Sequence, residues 1–196
     1  MIRLLINKYK DLNPKRNNEL EMCLKRNIQS FGSNGVIFSR VDRPTFSDLF
    51  YQINLSAEPE DITVIANSDI YFESIFDFNL IQANQVYALS RWDWQAGKAT
   101  LYDHEDSQDV WAFRGKIKPV SDCDFGLGVP GCDNAIAERL QRAGYTVLNP
   151  SRSIKSIHLH TSKVRNYNPK TAKAVDKPYL LIKPHFYNET PSYRNL

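Results

Sequence analysis

The chain has 196 residues, of which 42% are hydrophobic, 12% aromatic and 24% charged; that balance excludes wholesale disorder, and the length excludes two ordinary domains. Eight glycines and ten prolines in no repeating triplet exclude a collagen-like or low-complexity chain. The net charge of +3, from 25 basic and 22 acidic residues, is too small to make nucleic acid the main partner, while leaving room for a local phosphate-binding patch.

Ile2 to Ile6 is a short apolar run that reads as a buried first strand. Lys8 and Lys10 follow at once and no small-residue cleavage site exists, so the start is not read as a signal peptide. Asn13-Pro14 opens a helix, with Asn13 as N-cap and Pro14 in the first turn. Leu20, Cys23, Leu24 and Ile28 recur at helical spacing, and Gly32 to Gly35 end the element. Val36 to Val41 reads as a second strand. Pro44 to Leu55 reads as a second helix, from Phe46, Leu49, Phe50 and Ile53 at three- and four-residue steps. Asp61 to Ala66 is nearly all apolar, as in a parallel strand covered on both faces. This β-α-β-α-β series is a doubly wound α/β start, in which ligands bind beyond the carboxyl ends of the strands.

Farther on, Val86 to Ser90 and Val110 to Phe113 read as strands, with polar, loop-like sequence between them. Asp133 to Ala143 reads as a helix ended by Gly144. Tyr145 to Leu148 and Ile154 to His160 are strand candidates. The chain turns basic and proline-rich from Asn166, with a loop expected from Pro169 to Lys177, a last strand at Tyr179 to Ile182 and a frayed end. No apolar run reaches the roughly 18–20 residues of a membrane helix. Cys23, Cys123 and Cys132 form no C-x-x-C pair, which argues against a disulfide framework or a Cys-only zinc site and for a reducing, cytoplasmic setting.

Asn67-Ser68-Asp69 stands just after the third strand. Asp69 could hold a divalent cation through oxygen ligands; the alternative is a plain turn, since all three residues favour turns. The literal Asp-x-Asp, Asp122 to Asp124, falls in a loop and reads as surface. His158 and His160 alternate along a strand and point to one face. One of them beside a carboxylate suits Mn²⁺, although a strand histidine is often only hydrogen-bonded. Arg91-Trp92-Asp93-Trp94 offers an arginine for phosphate and indoles for sugar rings or bases, or is a mixed surface turn. The glycine-rich run Gly126 to Asn134 lacks both the P-loop ending and a dinucleotide fingerprint. Asp133 at its end is a helix N-cap or a general base facing an acceptor. No Gly-x-Ser-x-Gly elbow supports a hydrolase around Ser107.

Taken in order, Asn13 to Leu20, Ile65 to Phe72, Ala88 to Asp93, Ser107 to Phe113, Gly131 to Asn134, Asn149 to Ser151 and His158 to His160 resemble a group of small GT-A-type glycosyltransferases, or glycosyltransferase-like proteins, of bacteria and viruses. The resemblance spans roughly residues 2 to 168. It implies one GT-A (Rossmann-like) α/β domain at about 1–168, with a mixed, mostly parallel sheet flanked by helices. The donor half would be about 1–95 and the acceptor half about 96–168, followed by a basic tail at 169–196. It also implies a nucleotide-sugar donor, foremost a UDP-sugar, a hydroxyl acceptor on a glycan or other molecule, and Mn²⁺ or Mg²⁺. Asn67-Ser68-Asp69 occupies the place of the family's Asp-x-Asp signature, with Asn67 where the first acid would be. Asp69 is then the carried-over metal ligand. His158 or His160 resembles the family's late histidine ligand, and His158 is preferred as nearer the strand's middle. Asp133 resembles the acid that serves as base in inverting members. Asn7, Tyr9, Arg16, Asn67, Ser68 and Arg91 are candidates for the nucleotide sugar. The alternative is a non-catalytic nucleotide-sugar or carbohydrate-binding module on the same fold.

Overall fold

The structure, a computed structural model, describes residues 1–162, 164 and 173–196. The expected domain end at residue 168 and the first part of the loop expected from Pro169 lie outside the described residues. The fold is mixed α/β. Its first third runs β1 (Ile2–Ile6), α1 (Pro14–Phe31), β2 (Val36–Phe38), α2 (Phe46–Asn54), β3 (Ile62–Ala66), which is the expected series. Asn13 caps α1, its side-chain oxygen accepting from the Lys15 and Arg16 amides at 2.9 and 3.3 Å, and Pro14 fills the first turn, where no amide donor is needed. Thr45 and Asp48 close a reciprocal capping box on α2. β2 stops three residues before the expected Val41, because the Ser39 hydroxyl donates to the Val41 carbonyl at 2.8 Å and bends the chain.

The next elements depart further from the expectation. β4 (Ile70–Phe72) begins directly after Asp69, and a 3-10 turn follows at Phe76–Leu80. β5 (Gln85–Leu89) leads into a hairpin, β6 (Trp92–Gln95) and β7 (Lys98–Leu101), where polar loop was expected. Ala96 and Gly97 turn it with φ of 48° and 83°. Its strands are only half covered, so they alternate polar and apolar residues and show no apolar run. β8 (Val110–Arg114), α3 (Cys132–Arg142), β9 (Thr146–Leu148) and β10 (Ser156–His158) complete the part before the undescribed residues.

Six strands form the main sheet, in the order β2-β1-β3-β8-β5-β9. β1 pairs in parallel with β2 and β3, and β5 with β9, while β8 runs antiparallel to both neighbours. β3 is wholly buried as expected, but only its β1 side is parallel. Alternation along the strands splits the core. Leu5, Ile65, Ala88, Trp111 and Phe113 pack against α2 and α3, and Leu4, Ile6, Val64, Leu89 and Ala112 face Phe31 of α1 with Phe72 and Phe78. A second sheet, β4-β10-β6-β7, stands beside the first. No described helix is long and apolar enough to cross a membrane.

The end of the chain is packed and not frayed. β11 (Leu180–Ile182) is buried and pairs antiparallel with β12 (Tyr193–Asn195). Asn149 ties this segment to the core. Its side-chain nitrogen donates to the Ile182 carbonyl and to the Ser90 hydroxyl, both at 2.9 Å. Its side-chain oxygen accepts from the Ser90 amide at 3.1 Å, and its own amide donates to the His185 ring at 3.0 Å. Asn149→Ala leaves several of these buried groups unpartnered, so it should lower unfolding stability by about 3 kcal/mol in urea titration.

Candidate functional site

A cleft of about 1370 Å³ opens where the main sheet meets the second sheet. The ten residues expected to hold metal, hold nucleotide sugar or act as base all line it: Asn7, Tyr9, Arg16, Asn67, Ser68, Asp69, Arg91, Asp133, His158 and His160; of the two indoles offered for a sugar ring, Trp94 lines it and Trp92 does not. Asn7 and Asn67 follow the carboxyl ends of β1 and β3. The Ser68 hydroxyl donates to the Asn7 carbonyl and holds those ends together. The Ile70 amide donates to the Asn67 carbonyl at 3.0 Å, so Asn67 to Ile70 is a tight turn. The segment is the turn that its residue types favour, and it aims Asp69 inward. Asp122 pairs with Arg142 on the surface, outside this cleft.

Asp69 is only 7% exposed. Its Oδ2 accepts from Arg16 Nη2 at 2.6 Å and faces His158 Nε2 at 3.1 Å and His160 Nδ1 at 3.9 Å. Burial works against its charge, but the His158 and Arg16 contacts outweigh it and hold the carboxyl well below the usual carboxylate range. Asp69, His158 and His160 offer ligand atoms within 4.8 Å of one another and could hold a metal ion.

The two histidines are not equivalent. His158 is the last residue of β10, not its middle, and its Nδ1 faces Asp93 Oδ1 at 2.9 Å. Burial lowers its pKa, but carboxylates on both ring nitrogens override this and push it up to about 10. His160 lies past the strand. Its Nε2–H donates to the Val164 carbonyl at 2.7 Å, which leaves a lone pair on Nδ1, the nitrogen facing Asp69. Burial and the Arg16 charge lower its pKa. His158 is thus clamped between two carboxylates, while His160 faces Asp69 from farther away through Nδ1, and both belong to the group that could hold a metal ion.

Arg91 reaches three groups: Asp93 Oδ1 at 2.9 Å, the Ser107 hydroxyl at 2.9 Å and Asp109 Oδ2 at 3.2 Å. It also stacks 4.3 Å above the Tyr102 ring. Asn67 Nδ2 donates to Asp109 Oδ1 at 2.8 Å. Asn67 and Arg91 are thus engaged with protein carboxylates at the cleft wall. Asp93 and Asp109 carry this network, and the sequence reading gave neither a role. The Trp92–Asp93–Trp94 alternation was the available signal for Asp93.

Asp133 is not the helix cap. Gly131 holds that place at φ 75°, and no side chain caps α3. A Cβ on Gly131 would lie 2.6 Å from the Tyr179 hydroxyl. The Asp133 Oδ1 accepts from the Cys132 thiol at 2.9 Å. Burial and the neighbouring Asp109 charge raise the Asp133 carboxyl to about 7.

Comparison with protein-family models, with curated proteins and with solved structures finds no match to this chain.

The raised Asp133 carboxyl has a signed consequence. The folded state holds that proton more tightly than the unfolded chain does, so the group lowers stability as pH rises from the ordinary carboxylate range to about 7, and its effect is constant above. Asp133→Asn should gain stability relative to the parent over that window, as read by urea titrations at several pH values.

Proposed function

We propose that the protein is a metal-dependent glycosyltransferase of GT-A (Rossmann-like) type, moving a sugar from a nucleoside diphosphate, foremost UDP, to a hydroxyl of a glycan or other acceptor. One observation carries the reading: ten residues chosen across positions 7 to 160 for this chemistry line a single cleft. The sequence resemblance supplies the reaction class.

Asp69 and His160, with His158, would hold Mn²⁺ or Mg²⁺, for which a carboxylate and imidazole are suitable donors. When bound, such an ion supplies Lewis-acid stabilisation to a diphosphate leaving group. The chain's own groups complement it. Lys10 and Lys173 line the cleft and give it cationic contacts for phosphate, while Arg16 and Arg91 are held by Asp69 and by Asp93 and Asp109. Trp94 on the same wall offers an aromatic face for a sugar ring. Asp133, with a carboxyl near neutrality, is suited to take the proton of an acceptor hydroxyl. A cytoplasmic setting accords with the three free, buried cysteines.

A specific observation favours a second reading, a nucleotide-sugar or carbohydrate-binding module without transfer. The first acid of the expected signature is Asn67, and it is spent on Asp109.

A thermal-shift screen of nucleotide sugars with and without Mn²⁺ should find a donor whose stabilisation needs the ion. Asp69→Ala should abolish that ion-dependent shift, and an unchanged shift would remove Asp69 from the site. Asp133→Asn should retain donor binding and lose transfer by at least about 100-fold; donor binding with no transfer or donor hydrolysis by the parent protein would select the binding module.

A further inference from the structure

We infer that Arg16 is a resident counter-cation for Asp69, competing with a divalent ion for the same carboxylate oxygen and thereby setting the ion affinity of the cleft. This rests on the proposal that Asp69 belongs to a metal site, and it assigns Arg16 a role apart from nucleotide binding.

The contacts of Arg16 are unequal. Nη2 meets Asp69 Oδ2 at 2.6 Å, while the Tyr9 hydroxyl, Glu19 Oε2 and the Leu159 carbonyl stand at 3.4, 3.3 and 3.5 Å. Glu19 has other partners. Its carboxylate accepts from the Thr161 hydroxyl at 2.8 Å, the Ser162 amide at 2.6 Å and the Ser162 hydroxyl at 2.7 Å. The guanidinium is therefore matched chiefly to Asp69. It is 5% exposed, so little water weakens the pairing. The oxygen it occupies is also the one that the two histidine nitrogens surround.

The geometry has a cost for any ion. A cation at this oxygen meets a carboxylate whose charge is already matched, beside a buried guanidinium of the same sign. The Asn17 amide donates to the Asn13 carbonyl at 3.1 Å, and this first turn of α1 holds Arg16 in place. The opposing charge is built into the fold and does not depend on a flexible surface chain.

The test is Mn²⁺ binding to the full chain by titration calorimetry, without donor, for the parent, Arg16→Met and Arg16→Lys, with melting temperatures recorded to confirm folding. Met keeps most of the length and removes the charge, and Lys keeps the charge. Arg16→Met should bind Mn²⁺ at least about tenfold more tightly than the parent, and Arg16→Lys should stay within about threefold of it. Adding Asp69→Asn to Arg16→Met should abolish the gain; a gain that survives puts the ion elsewhere and overturns the inference. Equal or weaker binding by a folded Arg16→Met overturns the competition and leaves the metal site standing. Absence of Mn²⁺ binding in the parent and in both folded variants overturns the inference and the metal reading together. If Arg16→Met does not fold, Arg16→Gln takes its place as the charge-removing variant: tighter Mn²⁺ binding than the parent upholds the competition, and equal or weaker binding by the folded variant overturns it.

Discussion

The buried charge of Asp69 is the constraint around which the cleft is arranged. A carboxylate with so little access to water must be compensated by protein. Arg16 from the first turn of α1 and His158 from β10 both meet its Oδ2, so one oxygen atom draws together residues 53 and 89 positions distant. Each partner is compensated in turn. His158 is held by Asp93 on its far nitrogen, and Arg91 bridges Asp93 to Asp109. The result is a chain of alternating charges along the cleft wall, and removing one member would leave its neighbour as an unpaired ion.

The second sheet makes this network possible. β4 starts one residue after Asp69 and pairs with β10, placing Ile70 opposite His158. β10 pairs on its other side with β6, placing His158 opposite Asp93. Backbone hydrogen bonds among three short strands therefore fix the spacing of three titratable side chains. Glu19 adds a second fastening: it grips the Thr161–Ser162 turn and so steadies the chain just past His160. α1 thus holds the far side of the site with Arg16 and Glu19, one helical turn apart.

The opposite wall has a different physics. There the glycine-rich run ends at Gly131, where the Tyr179 hydroxyl leaves no room for a side chain, and Arg139 of α3 donates to the carbonyls of Asp176 and Pro178. The C-terminal segment is consequently a structural brace behind α3. Asp133 sits at the start of that braced helix, where burial and the Asp109 charge raise its carboxyl. One cleft therefore holds a carboxylate kept charged by cations, Asp69, and one kept near neutrality by burial and a like charge, Asp133. Such divergent environments separate the roles that two carboxylates can play.

Much of this was legible in the sequence where the physics is local. The Asn13-Pro14 cap, the apolar spacing of α1 and α2 and the nearly all apolar β3 marked out the first third of the fold, and the place of Asn67-Ser68-Asp69 just past that strand pointed to the cleft. Non-local pairings were not legible. β6 and β7 read as loop because half-solvated strands show no apolar run, and the tail read as frayed because Asn149, which anchors it, is 33 residues from Ile182. The role of Asp109 depended on the reversed direction of β8, which brings the start of that strand to the edge where β1 and β3 end. No periodicity encodes strand direction. The amino-acid sequence by itself determined which side chains could carry charge and metal chemistry; only the tertiary structure decided that Arg16 and His158 meet at one oxygen of Asp69, because that meeting is set by strand pairing and burial between distant segments.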